Sequence, residues 1–272
     1  MDAIVRCRSR RAPAIAAALL AIAMYAGRAS AEPRWIRVDT PNVVIVGAEG
    51  ERRLADVGAQ FEAFREALTR RLSPTATSSP VPTVVIEFPD DRSFAPFKPV
   101  YRGQQVNVGG LFASRSEVNY ILIGPSRSGD DLSSVFHEYS HLVIDNLAPG
   151  MPLWLNEGLA EYFSTFRIER GGRAIAIGQT IDDHLQRLAR EAWLPLDTLL
   201  ATTETSPEYN ENARRGVFYA ESWALTHLLL EGQPDRSAAL GRYVSDVLAG
   251  VHPADAWARA FARDDVMGAL RS

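Results

Sequence analysis

His137-Glu138-Tyr139-Ser140-His141 sets two imidazoles four residues apart, with a carboxylate beside the first. On a helix, residues four apart lie one above the other on the same face, so both rings can grip one metal ion. Glu138 is then placed to work on a water bound to that ion. Five His and seventeen Glu in 272 residues leave roughly 0.006 such pentapeptides expected by chance, so the spacing carries information. A second segment, Trp154-Leu155-Asn156-Glu157-Gly158-Leu159-Ala160-Glu161-Tyr162, follows shortly and offers Glu157 as a further ligand. Two His and one Glu leave the fourth zinc position open for water, as catalysis requires.

The surrounding pattern predicts how these residues are held. At about 100° per residue, Ser134, His137, Glu138, His141 and Asp145 fall on one side of a helix. Leu132, Val135, Phe136, Tyr139, Leu142 and Val143 fall on the other, which reads as a core face. Ser128 or Asp130 is available to cap it. Pro149, Gly150 and Pro152 end this helix and start another, with Pro152 suited to a first turn. Helices joined by so short a turn pack antiparallel, which brings Glu157 back to the histidine pair. Glu161, one turn further on, is expected to accept the second ring N–H of a ligand histidine.

The two segments together resemble the gluzincin group of zinc metallopeptidases, the peptidase MA-like proteins with an HExxH…NEGxxE pattern. The resemblance implies one zinc ion per chain, held by His137, His141 and Glu157, with Glu161 behind them and Glu138 as the base. It also implies a Tyr or His from the C-terminal lobe that stabilises the oxyanion. Tyr219 is the first candidate and Tyr209 the second. One departure is visible: fifteen residues separate His141 from Glu157, fewer than in thermolysin or the zinc aminopeptidases. The extended HExxHxxGxxH pattern is excluded, because Ile144 and Leu147 stand where Gly and His would be needed. No Gly-Ala-Met-Glu-Asn segment is present either, which favours an endopeptidase over an aminopeptidase.

Residues 1–31 read as an export signal. Arg6, Arg8, Arg10 and Arg11 precede an Ala-rich apolar run, and Ala29-Ser30-Ala31 forms a cleavage site before Glu32. The run is shorter than the roughly 20 residues a spanning helix needs, so no stable membrane insertion is expected after cleavage. The expected location is periplasmic or extracellular. The one cysteine, Cys7, lies inside this segment, which excludes a disulfide or a thiolate ligand in the remainder. Residues 32–272 hold 24 basic and 32 acidic side chains, a net charge of −8, which argues against nucleic acid as a partner. The partner expected is a peptide or protein substrate.

Along the chain, Trp35–Val46 reads as one or two strands, Glu51–Leu72 as a helix and Thr83–Phe88 as a buried strand with a continuous apolar run. Asp90–Tyr101 reads as a helix-and-turn stretch broken by Pro96 and Pro99. Gly109–Ala113 and Asn119–Ile123 read as strands joined by a polar turn, and the chain after Phe163 as helical, with His227 as a core residue and no role for His184 or His252. The fold class expected is therefore α+β: a small mixed sheet packed on the HExxH helix in an N-terminal part, 32–163, and a mainly helical C-terminal part, 164–272. Gly110, Leu111 and Phe112 are the candidate edge along which a peptide substrate adds as a strand. The function expected is a zinc-dependent hydrolysis of peptide bonds. A zinc amidase acting on the cell wall, or a non-catalytic zinc-stabilised binding protein, would carry the same ligands. The second of these is marked by loss of the base, and Glu138 is present.

Overall fold

The β-branched run at Val43 does not form a lone strand. It pairs antiparallel with the residues before it, so that Ile36–Asp39 (β1) and Val43–Gly47 (β2) make a hairpin. The computed structural model describes residues 34–72, 77–125, 132–170, 174–262 and 264–271. The expected export signal lies outside these residues, as do Ser128 and Asp130. After β2 come Glu51–Arg71 (α1), Thr83–Glu87 (β3), Asp91–Phe94 (α2), Val100–Tyr101 (β4), Gln104–Gln105 (β5), Gly110–Ser114 (β6) and Asn119–Ile123 (β7). Ser133–Leu147 (α3) carries the HExxH pentapeptide, and Leu153–Ser164 (α4) carries Glu157. Then follow Arg167–Glu169 (β8), Ala174–Ala176 (β9), Asp182–Arg190 (α5), Leu196–Ala201 (α6), Pro207–Asn210 (α7) and Asn212–Glu231 (α8). Pro234–Leu248 (α9), Pro253–Ala260 (α10) and Val266–Arg271 (α11) complete the described chain.

Five strands form one mixed sheet in the order β1-β2-β3-β7-β6. β2, β3 and β7 run parallel, while β1 and β6 are antiparallel to their neighbours. The α1 crossover is what a parallel β2–β3 pair demands. Leu54, Val57, Phe61, Phe64 and Leu68, spaced three or four apart, turn one stripe of α1 onto Val43, Ile45, Val85 and Ile121 of the sheet. Val135, Phe136, Tyr139, Leu142 and Val143 of α3 enter the same core, leaving the histidines on the opposite side of that helix.

Several local expectations are corrected. β3 does not bury a continuous run: burial alternates along it, because only one face meets α1 while the other meets a small cluster of Phe88, Phe94 and Leu122. Leu132, not a polar residue, occupies the N-cap of α3 and makes no side-chain cap. Pro152 sits at the N-cap of α4 rather than in its first turn, where its carbonyl accepts from the Leu155 and Asn156 amides. The C-terminal part is mainly helical, as expected, and the span before its first helix, to which no element was assigned, holds β8 and β9 paired as a hairpin.

α4 joins two hydrophobic clusters. Tyr162 and Phe163 pack into the sheet-side core, whereas Trp154 and Leu155 pack among Leu199, Phe218, Leu225, Leu229 and Tyr243 of the helical part. The Trp154 indole N–H donates to the Tyr243 hydroxyl at 2.9 Å, so the buried indole leaves no donor unpaired. Glu157 and Glu161 thus project from a helix fixed at both ends.

Candidate metal centre

α3 and α4 meet face to face, and the turn between them uses Gly150 at φ +83°, in the left-handed region that glycine tolerates. The packing brings His137, His141 and Glu157 together, with one ligand atom from each within 4.8 Å of the others. His137 Nε2 lies 3.3 Å from Glu157 Oε2, and His141 Nε2 lies 3.7 Å from the same oxygen. That oxygen is buried and has no hydrogen-bond partner. An orphaned buried acceptor costs about 1–3 kcal/mol, a penalty that a cation between the three groups would relieve. These residues could hold a metal ion.

The outer nitrogens of both rings are also spoken for. His141 Nδ1 lies 2.6 Å from Asn156 Oδ1, and His137 Nδ1 lies 3.6 Å from Glu161 Oε1. At His141 the acceptor behind Nδ1 favours the proton there and leaves the Nε2 lone pair pointing inward, while Glu161 faces His137 Nδ1 at ion-pair distance. Glu161 is shared: its other oxygen lies 3.3 Å from His184 Nε2. His184 therefore belongs to the site, against the expectation that it has no role. His227 packs as expected, with Nε2 2.9 Å from the Gly178 carbonyl.

Tyr209 and Tyr219 close the other side. Tyr209 Oη donates to Glu157 Oε1 at 2.9 Å, which leaves Oε2 as the inward atom. Tyr219 stacks on His137 with ring centroids 6.2 Å apart and 27° between planes, and on Tyr209 at 6.0 Å and 15°. Burial, followed by the Glu157 charge, holds both phenols protonated, above their ordinary pKa.

The carboxylates separate by environment. Burial raises Glu138, against the pull of His137, His141 and the Phe112 amide that bonds to it. Burial also acts against Glu157 and Glu161, but the neighbouring histidines outweigh it and keep both below the usual carboxylate value. For His137, burial alone would lower the pKa, yet the close Glu157 carboxylate and the charges of Glu161 and Glu138 raise it to about 10. The site concentrates negative potential where the three ligand atoms meet.

Glycines explain how close the elements come. A Cβ on Gly110 of β6 would lie 2.8 Å from Glu138 Oε1, so the edge strand touches the candidate base directly. A Cβ on Gly158 would lie 2.2 Å from Thr226 Oγ1 and 2.3 Å from the Ser222 carbonyl, so α4 presses on α8 only because this residue has no side chain. Each of Asn156, Glu157 and Gly158 therefore has a distinct physical task. β6 is the edge of the sheet, and Leu111 and Phe112 contribute to the lining of the cavity beside His141, with their side chains on opposite faces of the strand.

Residues 131–247 match a family described as a protein of unknown function, DUF1570. The match runs from just before α3 to the end of α9, and takes in His137, Glu138, His141, Glu157, Glu161, Tyr209 and Tyr219. No curated protein matches the chain.

Proposed function

We propose that this protein is an exported zinc-dependent metallopeptidase that cleaves within peptide chains, with one zinc ion per chain and Glu138 as its general base. The observation that carries the reading is the convergence of two inward Nε2 atoms on the orphaned Glu157 Oε2, beside a buried carboxyl of raised pKa. Two nitrogens and one oxygen suit zinc, whereas hard cations such as calcium and magnesium prefer oxygen throughout. Bound there, zinc would acidify a water toward a pKa of about 7 and polarise the scissile carbonyl.

The chain supplies the rest. Glu138 takes the proton of the attacking water and delivers it to the leaving amine, a task for which a raised pKa is an advantage. Asn156 and Glu161 orient the two imidazoles, and Tyr209 orients Glu157. Tyr219 is the donor for the oxyanion, because it is protonated and stacked on His137. A substrate strand along β6 approaches Glu138 closely, since Gly110 leaves no side chain in the way. Cavities of about 380 Å³ toward the start of α3 and about 270 Å³ toward its end both include His137 and Glu138, which supports a chain continuing in both directions. Export rests on the Arg-rich start, the apolar run and Ala29-Ser30-Ala31. Among the described residues, no helix is long and apolar enough to cross a membrane.

Digestion of casein beside digestion of purified peptidoglycan tests the reading. Peptide fragments from casein that are absent with Glu138→Gln support it. Release of stem peptides from peptidoglycan with intact casein would assign the amide to the cell wall instead.

A further inference from the structure

α5 is a surface helix. None of its nine residues is fully buried, and Asp182, Asp183, Leu185, Gln186, Ala189 and Arg190 are exposed. It packs on α8 and turns His184 inward, where only 14% of that side chain remains accessible. The inward position of such a helix ordinarily goes to an apolar residue, so a polar ring there asks for a partner. One face of the ring lies against Trp223 of α8, with centroids 5.6 Å apart and 49° between planes. That contact holds the ring in place but leaves its nitrogens unexplained.

The nitrogen on the site side faces a carboxylate. His184 Nε2 is buried, lies at ion-pair distance from Glu161 Oε2, 3.3 Å, and makes no hydrogen bond to any other described residue. The opposite oxygen of the same carboxylate, Oε1, lies 3.6 Å from His137 Nδ1. Glu161 therefore stands between two imidazoles, one on each oxygen. A glutamate side chain turns about three bonds, and holding it in one rotamer costs entropy. A partner on Oε2 restrains the rotation that carries Oε1 away from His137.

We propose that His184 is a positioning residue of the metal centre: it fixes the Glu161 carboxylate and, through it, the ring of His137. The proposal rests on the metal-binding part of the reading above and does not depend on which bond is cleaved. His184 supplies no ligand atom itself. It extends the site beyond the two helices that carry the ligands, since α5 braces the carboxylate that α4 sets behind α3.

Zinc affinity, measured by competition with a chromogenic chelator, is the test. His184→Phe keeps a ring against Trp223 and has no nitrogen; His184→Gln keeps an N–H donor without the ring. The Phe variant loses about tenfold in affinity, the lower end of the effect of groups behind a metal ligand, because it acts one residue further out. The Gln variant stays closer to the wild type. Added to Glu161→Ala, the Phe substitution has no further effect, because the group it acts through is gone. Thermal unfolding of the metal-free proteins keeps changes in the fold apart from changes at the site. Unchanged affinity in His184→Phe, equal loss in the Phe and Gln variants, or an undiminished loss in the Glu161→Ala background would overturn the proposal. A wild type that binds no zinc removes the metal reading and this inference together, whereas zinc held equally by the wild type and His184→Phe removes the inference alone. The predicted affinity losses without casein cleavage sustain the role of His184 and remove the reaction.

Discussion

Asn156 Oδ1 lies 2.6 Å from His141 Nδ1, so the residue immediately before Glu157 holds the second histidine of the HExxH pair. α4 therefore addresses α3 three times: Asn156 to His141, Glu157 to both Nε2 atoms, and Glu161 to His137. The Glu157 helix and the histidine helix are thus joined by polar contacts as well as by packing.

Asn156→Ala lowers zinc affinity about 10- to 100-fold, the usual effect of removing the acceptor behind a ligand imidazole. Asn156→Asp keeps an oxygen at that place and stays nearer the wild type. Competition with a chromogenic chelator measures both. Equal affinity in all three proteins would remove Asn156 from the site.

Gly158→Ala destabilises the fold by about 1–3 kcal/mol, because the added methyl meets the Ser222 carbonyl, which is backbone and cannot swing away. Urea unfolding with unchanged m-value is the measure. Gly110→Ala acts differently: it pushes on the Glu138 carboxylate and lowers kcat while zinc remains bound.

The two tyrosines separate by readout. Tyr219→Phe removes the proposed oxyanion donor and lowers kcat about 10²- to 10³-fold with zinc affinity unchanged. Tyr209→Phe frees Glu157 Oε1 and weakens zinc binding instead. If the effects appear in the opposite order, the roles assigned here are exchanged.

The helical periodicity of α3 and α4 made their core faces and the facing of their polar residues legible, since those depend on sequence spacing alone. β8 and β9 were not legible: Arg167-Ile168-Glu169 and Ala174-Ile175-Ala176 are three residues each, mostly exposed, and too short to show a period. His184 was missed because its partner Glu161 is distant in sequence and the contact exists only once α5 packs on α8. Asn156 carried a weak signal, as a hydrogen-bonding side chain adjacent to a ligand. The grouping of His137, His141 and Glu157 was legible because both helices are held by apolar residues whose spacing fixes where the polar ones point.

Glu221 gives the stability a pH dependence. It is fully buried on α8, where it accepts the Leu194 amide at 2.6 Å, and burial raises its pKa from 4.5 to about 7. The folded state then binds the proton more tightly than the unfolded state. Its contribution is present below about pH 4.5 and is lost as pH rises toward about 7, on the order of 1–3 kcal/mol. Glu221→Gln cannot ionise and retains an acceptor for Leu194. The Tm of the variant minus that of the wild type should therefore increase from pH 5 to pH 8, and a constant difference would contradict the burial effect.

The most direct test is metal content and casein cleavage for residues 32–272, wild type beside Glu138→Gln. One zinc per chain in both proteins, with cleavage by the wild type alone, is the predicted result. A wild type that holds no zinc, even after exposure to it, would contradict the account at its centre.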